Sequence, residues 1–376
     1  MRVHGGTTRG KTNRRAAGRV RAALSAAIAA CAVTAALPGA AAAGTGAGEA
    51  GAGVERISVG SDGTQADGDS AGASITTDGG RIVFSSTATN LGSGNAGGAQ
   101  KIYVRDQRAR QTRPMSSIAG SLQSPVISGD GQYAAFSGLI QRDTKVFLSR
   151  AGIGDTIGIN HSGLSSGQPS LSWDARYIAQ VGTYGRPPTR QIIEVIDWRA
   201  NTYETVREFE HTLPARPSIS GDGEYVAYDD REEQDVWLWN RTDGTTSDPI
   251  EGQGKAASLV QLSKDGRKVV YRSGADTYVY DVSSDMEQVV PNVRGLAIDP
   301  TGTYLLYAPS DTSGPAPLTL RDLRNGTEEV VSTQPATAER DAVSAGGRDV
   351  VFESAADDVV SGDSNGKVDV FVRRFF

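Results

Sequence analysis

His161 and His211 are the chain's histidines beyond His4, and each falls between a predicted outer strand and the first strand of the next repeat. Two imidazoles on loops that open on one face can share a divalent metal, with Glu208 or Glu210 close in sequence as an oxygen ligand. The plainer reading is a pair of surface loop histidines, because no third ligand is evident. Asp363, Asn365 and Asp369 place oxygens at alternating positions before a turn, in the manner of a weak calcium loop. The stretch lacks the length and terminal Glu of a helix–loop–helix calcium site, so an Asx-rich turn is the competing expectation. Gly163-Leu164-Ser165-Ser166-Gly167 matches G-x-S-x-G. A nucleophile elbow needs a helix after the serine, whereas Gln168-Pro169 and a further strand follow here. We assign it to a loop between repeats and assign no catalytic residue. Trp173 sits in a tight turn and is the candidate for ligand contact. Trp237 and Trp239 share one face of a strand and are expected to form a packing layer.

These residues are positioned by a repeated phrase. Its clearest copy is Pro217-Ser218-Ile219-Ser220-Gly221-Asp222-Gly223-Glu224-Tyr225-Val226-Ala227-Tyr228: a short apolar strand, a turn on Asp-Gly, and a second strand ending on an aromatic. The Asp-equivalent positions are 78, 130, 174, 222, 265, 301 and 346, separated by 52, 44, 48, 43, 36 and 45 residues. A period near 40–45 residues built of short strands is that of a four-stranded propeller blade. Glycine after the aspartate supplies the positive φ that the turn needs, and the aspartate holds the turn through its own backbone. Ala175 replaces that glycine in the third copy, which predicts a different turn there or a strained one. The adjacent Asp and Gly also read as turn formers rather than a sialidase box, in which one residue separates them. A third strand follows in each unit, such as Val236-Trp237-Leu238-Trp239, and then an outer strand. The last unit stops after its third strand, and an orphan strand, Val54–Val59, precedes the first. The expectation is an all-β, seven-bladed propeller of four-stranded antiparallel blades. Its N-terminal strand closes the last blade and removes an exposed sheet edge.

The phrase Ser-x-Asp-Gly-x-x-apolar-apolar-aromatic, followed by an Ile/Val-aromatic-Val-x-Asp strand, resembles the TolB-type, WD40-like β-propeller repeat across residues 54–376. Val59-Gly60-Ser61-Asp62-Gly63-Thr64-Gln65 and Phe84-Ser85-Ser86-Thr87-Ala88-Thr89-Asn90-Leu91 are similar to the first blade of secreted actinobacterial-type members. Gly362-Asp363-Ser364-Asn365-Gly366-Lys367-Val368-Asp369-Val370-Phe371-Val372 is similar to their third-strand approach. The resemblance implies a protein partner at the cell envelope. Some lyases of this general type hold a metal at the channel mouth.

The ends of the chain set its expected location. Residues 1–43 hold seven Lys/Arg, including Arg14-Arg15, and no acid, then turn small and apolar. This reads as an export signal peptide ending at Ala41-Ala42-Ala43. Cys31, the single cysteine, lies in the apolar run. Lipid anchoring there is the lesser expectation, because apolar sequence continues past it. Residues 44–53 are a flexible linker, and 54–376 form the propeller. The chain carries 38 basic and 44 acidic residues, and loss of the leader's seven basic residues leaves 31 against 44, a net charge of −13. Such a surface repels polyanions, so nucleic acid is not the expected partner. The expectation is thus an extracytoplasmic, secreted or cell-wall-associated monomer. It has no transmembrane segment in its mature chain, binds a protein or cell-envelope component, and has no cofactor. The rival expectation is a metal-dependent carbohydrate-active lyase or hydrolase.

Overall fold

The computed structural model describes residues 53–92, 98–116, 118, 122–140, 142–152, 155–159, 165–185, 190–210, 216–230, 233–250 and 256–375. The expected signal peptide, Cys31 and nearly all of the linker lie outside the described residues. Among them, the chain forms seven antiparallel sheets, six of four strands and one of three. Blade 1 comprises Ser70–Ile75, Arg81–Ser86, Lys101–Asp106 and Gln111–Pro114. Blade 2 comprises Leu122–Ile127, Tyr133–Ile140, Asp143–Arg150 and Thr156–Ile159. Blade 3 comprises Ser165–Leu171, Tyr177–Tyr184, Arg190–Asp197 and Thr202–Phe209. Blade 4 comprises Ser218–Ile219, Tyr225–Asp230, Asp235–Asn240 and Thr245–Thr246. Blade 5 comprises Ala257–Leu262, Lys268–Ser273, Asp276–Asp281 and Met286–Val290. Blade 6 comprises Val293–Ile298, Tyr304–Pro309, Ala316–Asp322 and Glu328–Ala336. Blade 7 joins Asp349–Ser354 and Asp369–Arg374 to Val54–Arg56 from the other end of the chain. Its innermost place is held by isolated bridges, Thr337 to Glu353 and Val343 to Val350, rather than by a full strand. The seven-bladed propeller and its N-terminal closure are therefore as the sequence implied. The closing strand is shorter than expected, although Ile57 still donates to the Val370 carbonyl at 2.7 Å.

The repeated phrase works as a hydrogen-bonded unit. Ser220 Oγ donates to Asp222 Oδ1 at 2.5 Å and accepts the Tyr225 N–H at 2.9 Å, while Asp222 accepts the Glu224 N–H at 2.9 Å. The same set recurs at Ser128 with Asp130, Ser172 with Asp174, and Ser263 with Asp265. Ala175 keeps the turn and adopts a φ of 55°, so the strained alternative is the one realised. Such a conformation costs an L-residue about 1 kcal/mol.

Each blade is too thin to bury both faces, so the core lies between blades. Blades 1 and 2 enclose Val83, Ile102, Leu122, Phe136 and Phe147. Blades 4 and 5 enclose Ala227, Leu238, Leu259, Tyr271 and Tyr278. The largest cluster joins blades 6, 7 and 1 through Leu306, Leu318, Phe352, Phe371 and Phe84. The turns are also tied to one another around the axis. Thr77 donates to Gly129, Asp130 to Trp173, Trp173 to Gly221, Gly221 to Lys264, Asp265 to Pro300 and Ala345 to Thr77, all backbone to backbone. Pro300 has no N–H to pass on. Between blades 6 and 7 the link is instead Gly346 N–H to Asp299 Oδ2 at 3.0 Å. The loop of bonds thereby runs through all seven blades.

Two measurements probe this frame. Gly223 has a φ of 76°, and a Cβ there would lie 2.3 Å from Tyr177 Cδ2. Strain and overpacking together predict that Gly223→Ala destabilises by about 2–4 kcal/mol in chemical denaturation. Gly244→Ala has open space around it and should cost only about 1 kcal/mol, the strain alone. Glu353 accepts the Ala73 N–H at 3.0 Å and also that of Gly72, joining blade 7 to blade 1. Burial pushes its carboxyl up to about 7 against the pull of those two N–H groups. The folded chain then holds a proton that the unfolded chain releases between about pH 4.5 and 7. Stability from this group is full below that window and falls as pH rises through it, by up to about 3 kcal/mol. Glu353→Gln should remove this slope and melt higher than the parent at pH 8; an unchanged slope would refute the assignment.

Candidate functional site

The candidates read from the sequence separate on the structure. His161 and His211 lie outside the described residues, as do Gly163 and Leu164. Ser165, Ser166 and Gly167 belong to the innermost strand of blade 3, not to a loop, and no helix follows them. Ser165 Oγ accepts the Thr144 N–H at 3.0 Å. Trp173 is 50% exposed at the lower face, where the first-to-second strand turns meet. Trp237 and Trp239 pack with Ile193, Val195, Ile219 and Tyr228 between blades 3 and 4.

Asp363, Asn365 and Asp369 converge, and the group they gather around is Arg56 of the closing strand. Arg56 Nη2 lies 2.9 Å from Asp363 Oδ2, and its Nε lies 3.5 Å from Asp369 Oδ2. Ser58 Oγ donates to Asp369 Oδ1 at 2.5 Å, Asn365 Nδ2 to Asp369 Oδ2 at 2.9 Å, and Gln65 Nε2 to Asp363 Oδ1 at 2.6 Å. Burial holds the Asp369 carboxyl above its ordinary range despite these partners. The stretch that resembles a calcium loop thus presents its carboxylates to a guanidinium, and the pairing locks the two ends of the chain. Among the described residues no group of three or more His, Cys, Asp or Glu side chains is placed to hold a metal ion.

The residues that sequence reasoning missed line the channel. Its lower half is filled: Lys264 Nζ donates to the Leu171 carbonyl at 3.0 Å and lies 3.4 Å from Asp341, which also accepts from Gln261 Nε2 at 2.9 Å. Among the described residues the upper mouth is open. A small cavity of about 50 Å³ there is lined by Pro125, Pro169, Pro217, Gln168, Arg216 and Arg340, among others. Gln168 and Arg216 also line an adjoining groove of about 320 Å³. Its other described walls include Gln123, Ser137, Thr144, Ser166, Thr183 and Gln191. Arg216 is the one titratable group in that lining, and its Nη1 lies 3.5 Å from Glu339 Oε2 at the rim. The groove offers hydroxyls and amides, and so the chemistry of hydrogen-bonded recognition.

A repeat-level signal marked this sector. In blades 1, 2, 5 and 7 the second and third strands carry stacked rings with centroids 5.9, 5.7, 5.1 and 5.5 Å apart. Blade 3 has Gln180 opposite Glu194 at that register instead, joined at 2.8 Å and fully buried. Three successive blades also carry proline at one equivalent position, Pro125, Pro169 and Pro217, two residues before the apolar residue that precedes the turn serine.

No family model matches the sequence, and no curated protein does. Solved structures are similar in fold. An oligogalacturonate lyase from Vibrio parahaemolyticus superposes with a TM-score of 0.62 at 11% identity, over 85% of this chain and 93% of that one. An oligogalacturonate lyase in complex with manganese gives 0.63 at 13% identity, over 85% and 92%. TolB from Acinetobacter baumannii gives 0.48 at 15% identity, over 73% and 65%. At such identities the likeness to the two lyases establishes the propeller alone.

Removing Arg56 would leave two carboxylates in the closed seam without their cation. Arg56→Met is expected to destabilise by about 3–5 kcal/mol, because breaking a buried pair strands the remaining charge. Millimolar calcium should restore part of that loss by taking the vacated place. A loss under about 1 kcal/mol in urea denaturation would show that the lock carries no weight.

Proposed function

We propose that this chain is an extracytoplasmic, non-catalytic binding module, and that a protein or other cell-envelope component docks on its upper face at the channel mouth. The groove over blades 2 to 4 carries this reading. Its described lining is made of hydroxyl and amide groups with one guanidinium. General acid–base work needs a positioned group that titrates near the working pH. This lining supplies fixed donors and acceptors on a rigid frame, which is what recognition needs. The basic and apolar leader supports export, and the acidic surface supports a partner other than nucleic acid.

A second reading, a metal-dependent carbohydrate-active lyase or hydrolase, is favoured by one placement. In sequence His161 stands four residues before Ser165 and His211 five before Arg216, and Ser165 and Arg216 line the groove. The fold shared with oligogalacturonate lyases, one of them in complex with manganese, points the same way.

One set of measurements separates the two. Gln123→Trp and Thr183→Arg fill the groove from either side. Under the binding reading each lowers retention on a cell-envelope fraction at least tenfold, with the melting temperature unchanged. Full retention by both variants would overturn it. Stoichiometric manganese, zinc or iron in the purified chain, together with cleavage of an oligosaccharide, would establish the second reading instead.

A further inference from the structure

We infer that the channel mouth is a receptor for a free polypeptide C-terminus, with Arg340 taking the carboxylate and Gln168 the N–H beside it. The inference rests on the binding reading and names the part of the partner that this cavity recognises. Arg340 leaves the inner edge of blade 7 and crosses the axis. Its Nη1 donates to the carbonyls of Arg216 at 2.7 Å and Pro217 at 3.2 Å, and its Nη2 to that of Leu259 at 3.2 Å. A guanidinium has five N–H groups, so at least two have no acceptor. No described carboxylate lies within ion-pair distance of it: Glu339 is drawn to Arg216 and Asp341 to Lys264. Burial pulls the guanidinium down to about 10 against the field of Asp229, which leaves it charged at neutral pH. The molecule thus holds a positive fork at the bottom of an open cavity, with donors to spare.

The cavity leaves room at that fork. Its volume of about 50 Å³ is the room of several waters. A carboxylate fits there. Pro125, Val126, Pro169 and Pro217 make part of its wall apolar, which strengthens a charge-assisted bond made against them, while Glu339 and Asp341, which also line it, are engaged by Arg216 and Lys264. Lys264 closes the channel below, so a ligand enters from above and stops at Arg340.

The second polar group is Gln168. Its Oε1 is buried and has no donor. Its backbone is held at a φ of 53° with its N–H on Ser137 Oγ at 3.1 Å. It lines both the small cavity and the groove. The site therefore needs an anion beside a donor. The last residue of a polypeptide supplies both, a carboxylate and its own amide N–H. The preceding residues then run into the groove, whose amides and hydroxyls suit a peptide backbone.

Small probes test this without knowledge of the partner. N-acetylglycine carries the carboxylate and the adjacent N–H, acetate only the carboxylate, and N-acetylglycinamide only the amides. Calorimetry on the full chain at fixed ionic strength should rank N-acetylglycine at least fivefold above acetate, with no detectable binding of the amide. Arg340→Met should abolish binding of both anions. Should that variant fail to fold, Gln168→Leu carries the test: acetate binding persists and the preference for N-acetylglycine disappears. Equal binding of acid and amide, or Gln168→Leu with its preference intact, would overturn the inference. If the probes do not bind while the groove-filled variants still lose the envelope component, the C-terminus receptor is wrong and the binding module stands.

Discussion

Everything in this fold depends on closing a ring whose members cannot stand alone. A four-stranded sheet has two faces, and here each finds its apolar cover only on the neighbouring blade. Burying one Ile, Leu or Phe is worth about 1.5–3 kcal/mol, and that gain exists only while both neighbours are present. The first and last blades meet through bonds such as those of Glu353 to Gly72 and Ala73, and Val54–Arg56, hydrogen-bonded to Asp369–Arg374, ties the chain ends at that seam. Arg56 sets the register of that join, since Asp363, Asp369 and Ser58 meet in one place only when the strand is paired as observed. A buried ion pair is a weak source of stability but a strong selector of alignment, and alignment is what a seam between chain ends requires.

The same ring turns the axis into a cup. The turn-to-turn bonds draw the lower ends of the innermost strands together, and Lys264, Gln261 and Asp341 fill the space above them. Among the described residues the upper mouth stays open, on the face that carries the connections between blades. Four residues that stand four places before the turn serine or its equivalent line this mouth: Gly72, Gln168, Arg216 and Arg340. The frame repeats closely and this layer does not. Variation confined to the lining of an opening is what a rigid scaffold carrying a specific site produces.

The contrast explains what the sequence disclosed. The turn was legible because its bonds span at most five residues, as from Ser220 Oγ to the Tyr225 N–H. Composition alone then implies geometry, and the strained turn at Ala175 could be anticipated from a single missing glycine. The closing strand was legible from simple accounting of strands per unit. The mouth was not. Gln168, Arg216 and Arg340 stand far apart in the chain and meet only because blades 3, 4 and 7 face one axis. The stretch that resembles a calcium loop hid its partner for a related reason. Its oxygens were visible in sequence, but the cation that faces them comes from the opposite end of the chain. Trp173 could be placed at an exposed turn, although nothing local revealed that it belongs to the closed end of the channel.

Blade 3 departs from its neighbours in a direction that favours the mouth as the working site. Replacing a stacked aromatic pair by Gln180 and Glu194 forfeits about 0.5–1.5 kcal/mol of ring contact, and burying a carboxylate there costs more. The same strand register places Ser166 and Gly182 one row above them on the same face, and Ser166 lines the groove. The innermost strand of this blade also keeps Gln168 at a positive φ, where blade 1 has Gly72 at 68°. Glycine would relieve that strain and would remove the amide from the mouth. A buried carboxylate occurs in other blades too, as at Glu353, but the loss of the ring pair and the strained glutamine coincide in blade 3, beside the groove. They are intelligible if polarity at this mouth is what the chain retains at the expense of packing.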